Sequence, residues 1–543
     1  MERFSPRSLA CRVETTTTGP ILVSKCRVRR SPSRASRPPP SRVSTYRTPA
    51  WSSPRNLKGA SSPKSSGLSR RGARARAARA GGAAAELLDF LNEAWTPFHA
   101  VRAAAARLAR AGFLELQEAA PWDLQPGGRY FFRRNMSALV AFAVGKKYRP
   151  GDGFLILGAH TDSPCPKLKP KPGATRAGFL QVACQPYGGG LWHTWFDRDL
   201  GVAGRVLVRQ ADGTMVQRLL KIERPIMRIP TLAIHLNRNV NSSFEVNFQN
   251  HMLPVLASAP EGDKGGDAET PPGIIQVVAQ ELGCLAEDIL DFDLQLCDTQ
   301  PSAVGGMNDE FIYSGRLDNL CMSFLCLKSL IDTSAGEGQL DEEACIRSIA
   351  LFDHEECGSV SADGAGSSLI PELVRRVSGV LGGGGDAAEI LARACRASYL
   401  VSADMSHSLH PNYMDKHCPG HQIFFGKGVV IKHNVNQRYA TNSLTATLFR
   451  ECGRLAGVPV QDFVVKSDLG CGSTIGPTLS ANLSVRTVDV GIPQLSMHSI
   501  REMCGVEDVE HSYKHFVSVF ENFSSLDTKV LEDPGSPPAP LAQ

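Results

Sequence analysis

Histidine and acidic residues follow apolar segments, or begin the next helix, at five places in this chain of 543 residues. Apolar segments of this length are typical of strands buried in an α/β sheet. Because such sheets bind ligands beyond the carboxyl ends of their strands, we expect these side chains to meet at one edge. The five places are His160-Thr161-Asp162, Asp318 in GRLDNL, Glu355-Glu356 in FDHEECGS, Asp404 in SADMSH and His498 in QLSMHSIREM.

Each of these residues has an ordinary explanation when it is taken alone. Asp318 suits the N-cap of a helix, adjacent glutamates are usually a solvated pair, and a lone histidine is rarely a metal ligand. The set is different, because buried carboxylates that lack compensating cations lose several kcal/mol of solvation each. Histidine and carboxylate ligands without cysteine favour a catalytic zinc pair, in which one carboxylate bridges ions roughly 3.5–4 Å apart.

The adjacent Glu355 and Glu356 predict a division of labour. Their side chains leave the backbone in different directions, so one can bind a metal while the other faces the attacking water. The second glutamate would then be the general base of a hydrolysis. Asp162 projects to the same side as His160 and is expected to accept its free ring N–H.

Strand and helix patterns alternate around these residues. This alternation predicts an α/β fold with a mixed, largely parallel sheet and helices on both faces. A different block, residues 166–312, is predicted to be mainly β, with a hairpin turn at Ala211-Asp212-Gly213 and an exposed loop at 258–273. Predicted strands are RYFFRR, ALVAFAVG, FLILGA, CIRSIALF, SYLVSA, FVV and VRTVDVG, and predicted helices include ELLDFLN, NLCMSFLCLKSLI and SLTATLFRECGRLAG.

Charge separates a basic leader from an acidic body. Residues 1–80 contain 19 Lys and Arg but only two acids, so the remainder carries a net charge of −12 although the whole chain is +5. The acidic body argues against nucleic-acid binding. An Arg-rich, Ser-rich, acid-poor leader predicts a transit peptide, and its Ser and Pro content favours a plastid over a mitochondrion. A basic disordered tail that contacts a polyanion is the alternative.

Two further classes of feature are missing from the sequence. No run of 18 apolar residues predicts a membrane span. The fifteen cysteines are scattered without a C-x-x-C pair, which suggests neither a thiolate zinc site nor a regular disulfide framework.

Eight segments resemble the aspartyl aminopeptidases, a family of dinuclear zinc exopeptidases. They follow the family's order from about residue 85 to about residue 525. One segment alone would be weak, but eight together are highly specific. They are GAHTDSPCPKLKPKP, RIPTLAIHLNR, GRLDNL, FDHEECGS, SADMSHSLHPNY, VIKHNVNQRYATN, DLGCGSTIGP and GIPQLSMHSIREM.

The resemblance implies two zinc ions in each subunit, replaceable by manganese or cobalt. Asp318 would bridge the ions, while His160 and Asp404 complete one site and Glu356 and His498 complete the other.

The resemblance also implies roles for the remaining site residues. Glu355 would be the general base, and Asp162 the partner of His160. His235 would enter a neighbouring subunit's active site and polarise the scissile carbonyl. Lys432 would recognise an acidic substrate side chain, and Tyr439 is also predicted to bind substrate.

The implied protein is an aminopeptidase that removes N-terminal Asp and Glu from peptides. It would assemble as a homo-oligomer, a tetrahedral dodecamer, with no nucleic-acid or membrane partner. The expected location is the chloroplast, with the mitochondrion or cytoplasm as alternatives. The predicted parts are a leader or transit peptide (1–82), a catalytic domain in two segments (83–165 and 313–526), an inserted mainly β dimerisation domain (166–312) and a disordered tail (527–543).

Two other functions fit the same residues. One is an aminopeptidase of the same family that acts on neutral residues, and the other is a non-catalytic assembly or metal-buffering descendant of such an enzyme. A second group of histidines is interpreted as polar loop residues rather than a metal site: His407, His410, His417 and His421.

Overall fold

The computed structural model describes residues 82–259 and 272–531. The predicted leader up to residue 81, residues 260–271 of the predicted loop and residues 532–543 of the predicted tail lie outside the described residues. Within the described ranges, no helix combines the length and the apolar character needed to cross a bilayer.

Helices and strands alternate through most of the described chain. The helices are α1 (Gly82–Glu93), α2 (Pro97–Arg110), α3 (Phe248–His251), α4 (Pro272–Leu282), α5 (Leu317–Ser334), α6 (Leu369–Leu381), α7 (Ala387–Ala397), α8 (Ser443–Ala456), α9 (Ile475–Leu483) and α10 (Val506–Asp527). The strands are β1 (Leu114–Glu115), β2 (Arg129–Arg134), β3 (Ala138–Val144), β4 (Phe154–His160), β5 (Cys165–Arg176), β6 (Phe179–Tyr187), β7 (Leu200–Arg209), β8 (Met215–Met227), β9 (Val255–Ser258), β10 (Ile289–Asp298), β11 (Ala303–Gly305), β12 (Phe311–Ser314), β13 (Ile346–Phe352), β14 (Tyr399–Ala403), β15 (Ser406–His407), β16 (Val429–His433), β17 (Val460–Val464), β18 (Arg486–Gly491), β19 (Pro493–Leu495) and β20 (Glu502–Gly505).

A nine-stranded sheet forms the centre of the fold. Its order is β1-β2-β3-β13-β4-β14-β18-β16-β17. The middle strands β13, β4, β14 and β18 are mutually parallel, while β3 runs antiparallel to both of its neighbours and β16 runs antiparallel to β18. The predicted mixed, largely parallel sheet is confirmed.

Both faces of this sheet are buried, as its apolar strands require. Along β3, Leu139, Ala141 and Ala143 belong to one apolar core. Val140 and Phe142 point into the other core. Helices α1, α2, α5, α8 and α10 contribute to the first core, and α6, α7 and α9 contribute to the second. The alternation of side chains along a strand therefore places helices on both faces, as predicted.

The mainly β block forms a separate antiparallel sheet, in the order β8-β7-β10-β5-β6-β9. The predicted hairpin is present, since β7 pairs with β8 from Arg209 opposite Met215 onward. Helix α4 was not anticipated. Its Ile274, Ile275 and Val278 are buried against this sheet. Because β-branched residues are common in strands, the sequence of this helix suits a strand equally well.

The inserted sheet ends earlier in the chain than the predicted boundary at residue 312. Its last strand, β10, ends at Asp298. The next two strands, β11 and β12, join a third sheet in the order β11-β12-β20-β19-β15. There β12 pairs with β20 near the C-terminus, with Ser314 opposite Glu502. Residues 303–312 therefore pack with the second part of the predicted catalytic domain.

The last helix extends to Asp527, the first residue of the predicted tail. The Asp527 carboxylate accepts hydrogen bonds from the Arg486 guanidinium at 2.5 and 2.8 Å. This paired contact connects the end of α10 to the start of β18.

Candidate active site

Three parallel strands bring the predicted site residues to one edge of the central sheet. His160 is the last residue of β4 and lies opposite Phe352, the last residue of β13. Glu355 and Glu356 follow β13 in a short 3₁₀ turn, and Asp404 follows β14 directly. Asp318 stands at the start of α5, and His498 precedes β20.

The two histidines approach different oxygens of Asp318. His160 Nε2 lies 3.4 Å from Asp318 Oδ1 and 3.5 Å from Asp404 Oδ1. His498 Nε2 lies 3.5 Å from Asp318 Oδ2 and 3.3 Å from Glu356 Oε2. Asp318 thus stands between a His160–Asp404 group and a His498–Glu356 group, as predicted for a bridging carboxylate.

These separations fit a metal better than direct hydrogen bonds. Two ligands that each lie about 2.0–2.2 Å from a tetrahedral zinc are roughly 3.3–3.6 Å apart. The distances within the two groups fall between 3.3 and 3.5 Å. Asp318 Oδ1 and Glu356 Oε1 are also buried with no hydrogen-bond partner among the described residues. A cation would satisfy both oxygens.

The orientation of the imidazole rings supports the same conclusion. His160 Nδ1 lies 3.0 Å from the Asp162 carbonyl oxygen, and His498 Nδ1 lies 3.0 Å from that of Gly189. A carbonyl only accepts, so each Nδ1 must carry the proton. In the neutral ring, Nε2 then presents a lone pair to the carboxylates, which is the tautomer that binds a metal.

The electrostatics of the cluster favour positive charge at its centre. Burial lowers the pKa of His498, but Asp318 and Glu356 outweigh burial and raise it to about 10. Burial, reinforced by Asp404 and the neighbouring aspartates, raises the pKa of the Glu355 carboxyl to about 7. Burial likewise raises the pKa of Glu356 well above its usual range. Divalent cations at this point would offset the repulsion between the carboxylates.

Comparison with known proteins agrees with this donor set. The family model for aminopeptidase I zinc metalloproteases (M18) matches residues 90–520. The chain belongs to this family. It is 53% identical over 478 residues to a probable aspartyl aminopeptidase of Ricinus communis, covering 82% of this chain and 97% of that protein. It is 46% identical over 488 residues to the aspartyl aminopeptidase of Aspergillus oryzae, covering 83% and 98%.

Solved M18 structures share the fold. The Ape4 chain of the Ape4 and Nbr1 complex superposes with a TM-score of 0.81 at 43% identity, covering 84% of this chain and 89% of that chain. A subunit of the S. cerevisiae mApe1 dodecamer gives 0.70 at 28% identity, covering 82% and 98%. This M18 chain is accordingly a metalloaminopeptidase, and the family's metal is zinc.

Asp162 holds the backbone of both Glu355 and Glu356, which the sequence did not indicate. Its Oδ1 accepts the backbone N–H of Glu355 at 3.1 Å, and its Oδ2 accepts that of Glu356 at 3.0 Å. Tyr187 donates its hydroxyl to Oδ2 at 2.6 Å. The Asp162 carboxylate lies 3.3 Å from His160 Nδ1, whereas the Asp162 carbonyl oxygen lies closer to that nitrogen, at 3.0 Å. Asp162 therefore orients both the imidazole and the glutamate turn.

Glu502 is a supporting residue that the sequence reading missed. It is 3% exposed. Its Oε2 accepts the backbone N–H of Asp318 at 3.0 Å, and its Oε1 accepts that of His498 at 2.8 Å. One carboxylate thus holds the backbone of two metal-site residues. The only signal in the sequence is a glutamate four residues after His498.

We expect Glu502→Gln to weaken zinc binding about 10- to 100-fold, because partners that orient metal ligands contribute effects of this size. The amide group of glutamine would face one backbone N–H with an NH₂ donor. Competition with a chromogenic chelator measures the affinity. The exposed Glu507, substituted in the same way, is the control, and unchanged zinc affinity in E502Q would contradict the role of Glu502.

Lys432 and Tyr439 share a cavity of about 430 Å³ with the metal-site residues. Lys432 is 3% exposed and donates a hydrogen bond to the Met405 carbonyl oxygen at 2.6 Å. Its Nζ lies 3.9 Å from Asp404 Oδ2 and 5.5 Å from the centre of the Tyr439 ring. The cavity therefore contains a buried lysine side chain beside the candidate metal-site residues.

A buried aspartate that the sequence reading did not single out supports the same cavity wall. Asp489 is fully buried and accepts the Ala440 backbone N–H at 2.6 Å and the Thr474 hydroxyl at 2.5 Å. Ala440 follows Tyr439, and Thr474 caps helix α9 and lines the cavity. Asp489 thus joins β18 to the segments that carry two of the lining residues.

His235 is the predicted site residue that lies apart from the others. It is exposed, in the segment between β8 and α3 of the inserted block, and it does not line the cavity of its own chain. The placement of the histidine group also differs from residue to residue. His407 lines the metal-site cavity, whereas His410 and His417 line an adjoining one and His421 is exposed.

Proposed function

We propose that this M18 aminopeptidase removes N-terminal aspartate and glutamate from peptides. The observation that carries the proposal is the buried Lys432, which lines the same cavity as His160, Asp318 and Glu355. A substrate carboxylate would form an ion pair with this ammonium in addition to its contacts with Met405 and Asp404, whereas a neutral side chain would cover the ammonium and bring no counter-charge. The curated relatives that bear the name aspartyl aminopeptidase support the same specificity.

The metal site would hold two zinc ions. His160 and Asp404 would bind one ion, Glu356 and His498 would bind the other, and Asp318 would bridge them. When bound, such a pair lowers the pKa of a water molecule toward neutrality and polarises the scissile carbonyl.

The side chain that moves protons is Glu355. Its Oε2 lies 4.0 Å from His160 Nε2, so the carboxylate faces the metal ligands. Glu355 would take a proton from the attacking water and return it to the leaving amine. The hydrogen bonds from the Glu355 and Glu356 backbone to Asp162 keep this turn in place.

A panel of aminoacyl-p-nitroanilides tests the proposed specificity. We expect kcat/KM for the Asp and Glu substrates to exceed that for Leu and Ala by about 10³-fold or more, because an unpaired buried charge penalises neutral side chains. Measurements with the zinc-loaded full chain should also show loss of activity with a chelator. Preferential cleavage of Leu would identify a neutral-residue aminopeptidase instead.

The inserted sheet would serve assembly. Near His235, three apolar side chains are strongly exposed: Leu232 (57%), Ile234 (47%) and Leu236 (76%). Burial of this segment against a second copy would cover them and would bring His235 to a neighbouring active site, where it would polarise the scissile carbonyl. One solved relative is itself a dodecamer, and we propose the same assembly here.

The basic leader remains a proposed plastid transit peptide. Native mass spectrometry of the protein isolated from its source would test both proposals, since it measures the subunit count and the mass lost from each N-terminus. Twelve subunits lacking most of residues 1–82 are expected. Intact N-termini would contradict the leader proposal, and a stable dimer would contradict the dodecamer.

A further inference from the structure

A second cavity of about 390 Å³ adjoins the cavity of the metal site. The two share His407 and Met497 in their walls. Met497 immediately precedes the metal-site residue His498, and His407 lies three residues after Asp404. We call this second space the side cavity. It is separated from the metal-site cavity by no more than these two shared wall residues at that point.

The walls of the side cavity combine polar residues, among them His410 and His417, with apolar ones. They include Phe463 and Val465 at the end of β17, Leu469 in the following loop, and Leu495 of β19. Leu469 is 40% exposed, and its side chain therefore leaves apolar surface open to a ligand.

An aminopeptidase must hold more than the residue it removes. The acidic side chain of the first residue is directed to Lys432 in the metal-site cavity, so the chain beyond the scissile bond has to leave through an adjoining opening. The side cavity adjoins the metal-site cavity at Met497, next to His498 in the chain, and its other lining residues come from segments outside the metal-site wall. Its volume falls within the range of roughly 300–1,000 Å³ that is usual for ligand sites.

We propose that the side cavity binds the side chain of the residue directly after the scissile bond and selects for an apolar one. This inference rests on the proposed aminopeptidase function and extends it to the second residue of the substrate. Peptides that begin with an acidic residue followed by a large apolar residue are then the preferred substrates.

The charges at the rim do not favour an anion in the side cavity. Lys416 and Lys466 line it, but each pairs with an acid of its own loop. Lys416 Nζ lies 3.4 Å from Asp415, and Lys466 Nζ lies 3.1 Å from Asp468. Because each ammonium group already faces a carboxylate of its own loop, the apolar residues of the wall are expected to set the preference at this position.

The unmodified zinc-loaded protein provides the first test. Four dipeptide amides, Asp-Ala-NH₂, Asp-Leu-NH₂, Asp-Phe-NH₂ and Asp-Glu-NH₂, differ only in the second residue. We expect kcat/KM for the Leu and Phe peptides to exceed that for the Ala peptide by about tenfold, with the Glu peptide lowest. Equal values within twofold, or a preference for Glu, would overturn the inference.

A variant locates the effect in the side cavity. We expect Leu469→Lys to reduce the Phe-to-Ala ratio of kcat/KM at least about fivefold, because it places a solvated charge on the apolar wall. The control is Leu455→Lys, on α8, since Leu455 is a similarly exposed leucine (48%) that lines neither cavity. An unchanged ratio in L469K would overturn the assignment of the preference to this cavity.

One further peptide, Leu-Phe-NH₂, measured beside the four dipeptide amides, separates this inference from the proposed function. If the protein cleaves Asp-Ala-NH₂ but ignores the size of the second residue, only the side-cavity inference fails. If it cleaves Leu-Phe-NH₂ better than Asp-Phe-NH₂, the acidic specificity fails, although a preference for Phe over Ala at the second position would still support the side cavity.

Discussion

Replacement of Glu355 by glutamine is expected to lower kcat for an aspartyl substrate by about 10²- to 10⁴-fold, the usual contribution of a general base. The amide cannot take a proton from water, although it occupies nearly the same volume as the carboxylate. The five predicted metal-site residues stay intact in this variant, so the zinc content should stay at the level of the unmodified protein. Steady-state kinetics and elemental analysis measure the two quantities on the same preparation.

A matched control shows whether a glutamate-to-glutamine substitution away from the site also lowers activity. Glu389, exposed on helix α7, does not line the metal-site cavity and carries the same substitution. E389Q should keep full activity. Retained hydrolysis in E355Q would remove Glu355 as the base, and zinc binding without hydrolysis in the unmodified protein would favour the non-catalytic, metal-buffering interpretation.

The second large effect is expected for Lys432→Met. Methionine keeps much of the length of the lysine side chain but removes the charge that would face the substrate carboxylate. We expect kcat/KM for Asp and Glu substrates to fall about 10³-fold, while the value for a Leu substrate changes by less than about tenfold. The ratio between substrates is the decisive quantity, since it cancels any loss of active protein.

Lys427→Met is the control for the lysine substitution. Lys427 is exposed and lies just before strand β16, which carries Lys432. K427M should leave the ratio between Asp and Leu substrates unchanged. Equal losses on Asp, Glu and Leu in K432M would show that Lys432 supports the structure of the site rather than its selectivity.

Much of the central fold could be predicted because its strands are short apolar runs. In β4, all seven residues from Phe154 to His160 are buried, and the run ends at the first metal-site residue. A polar residue that closes such a buried apolar run marks the end of the strand. The rule that strand ends meet at one sheet edge was then enough to group His160, Glu356 and Asp404, whereas Asp318 lies at the start of helix α5, after a strand of the third sheet.

The parts that were missed have weaker local signals. Helix α4 is rich in β-branched residues, whose apolar pattern suits a strand equally well. The pairing of β12 with β20 joins segments almost 200 residues apart. Such long-range pairing depends on the packing of the whole chain, so residues 303–312 were assigned to the inserted domain.

The residue types of the candidate metal site, their order and the glutamate beside them could be predicted from the sequence, because these depend on residue type and on position relative to apolar runs. Only the tertiary structure decided which oxygen of Asp318 faces which imidazole, and that Glu502 holds the backbone of both Asp318 and His498. It also decided that a side cavity opens beside the metal site. The reason is physical: hydrogen-bond direction and cavity shape arise from contacts between segments that are distant in the chain.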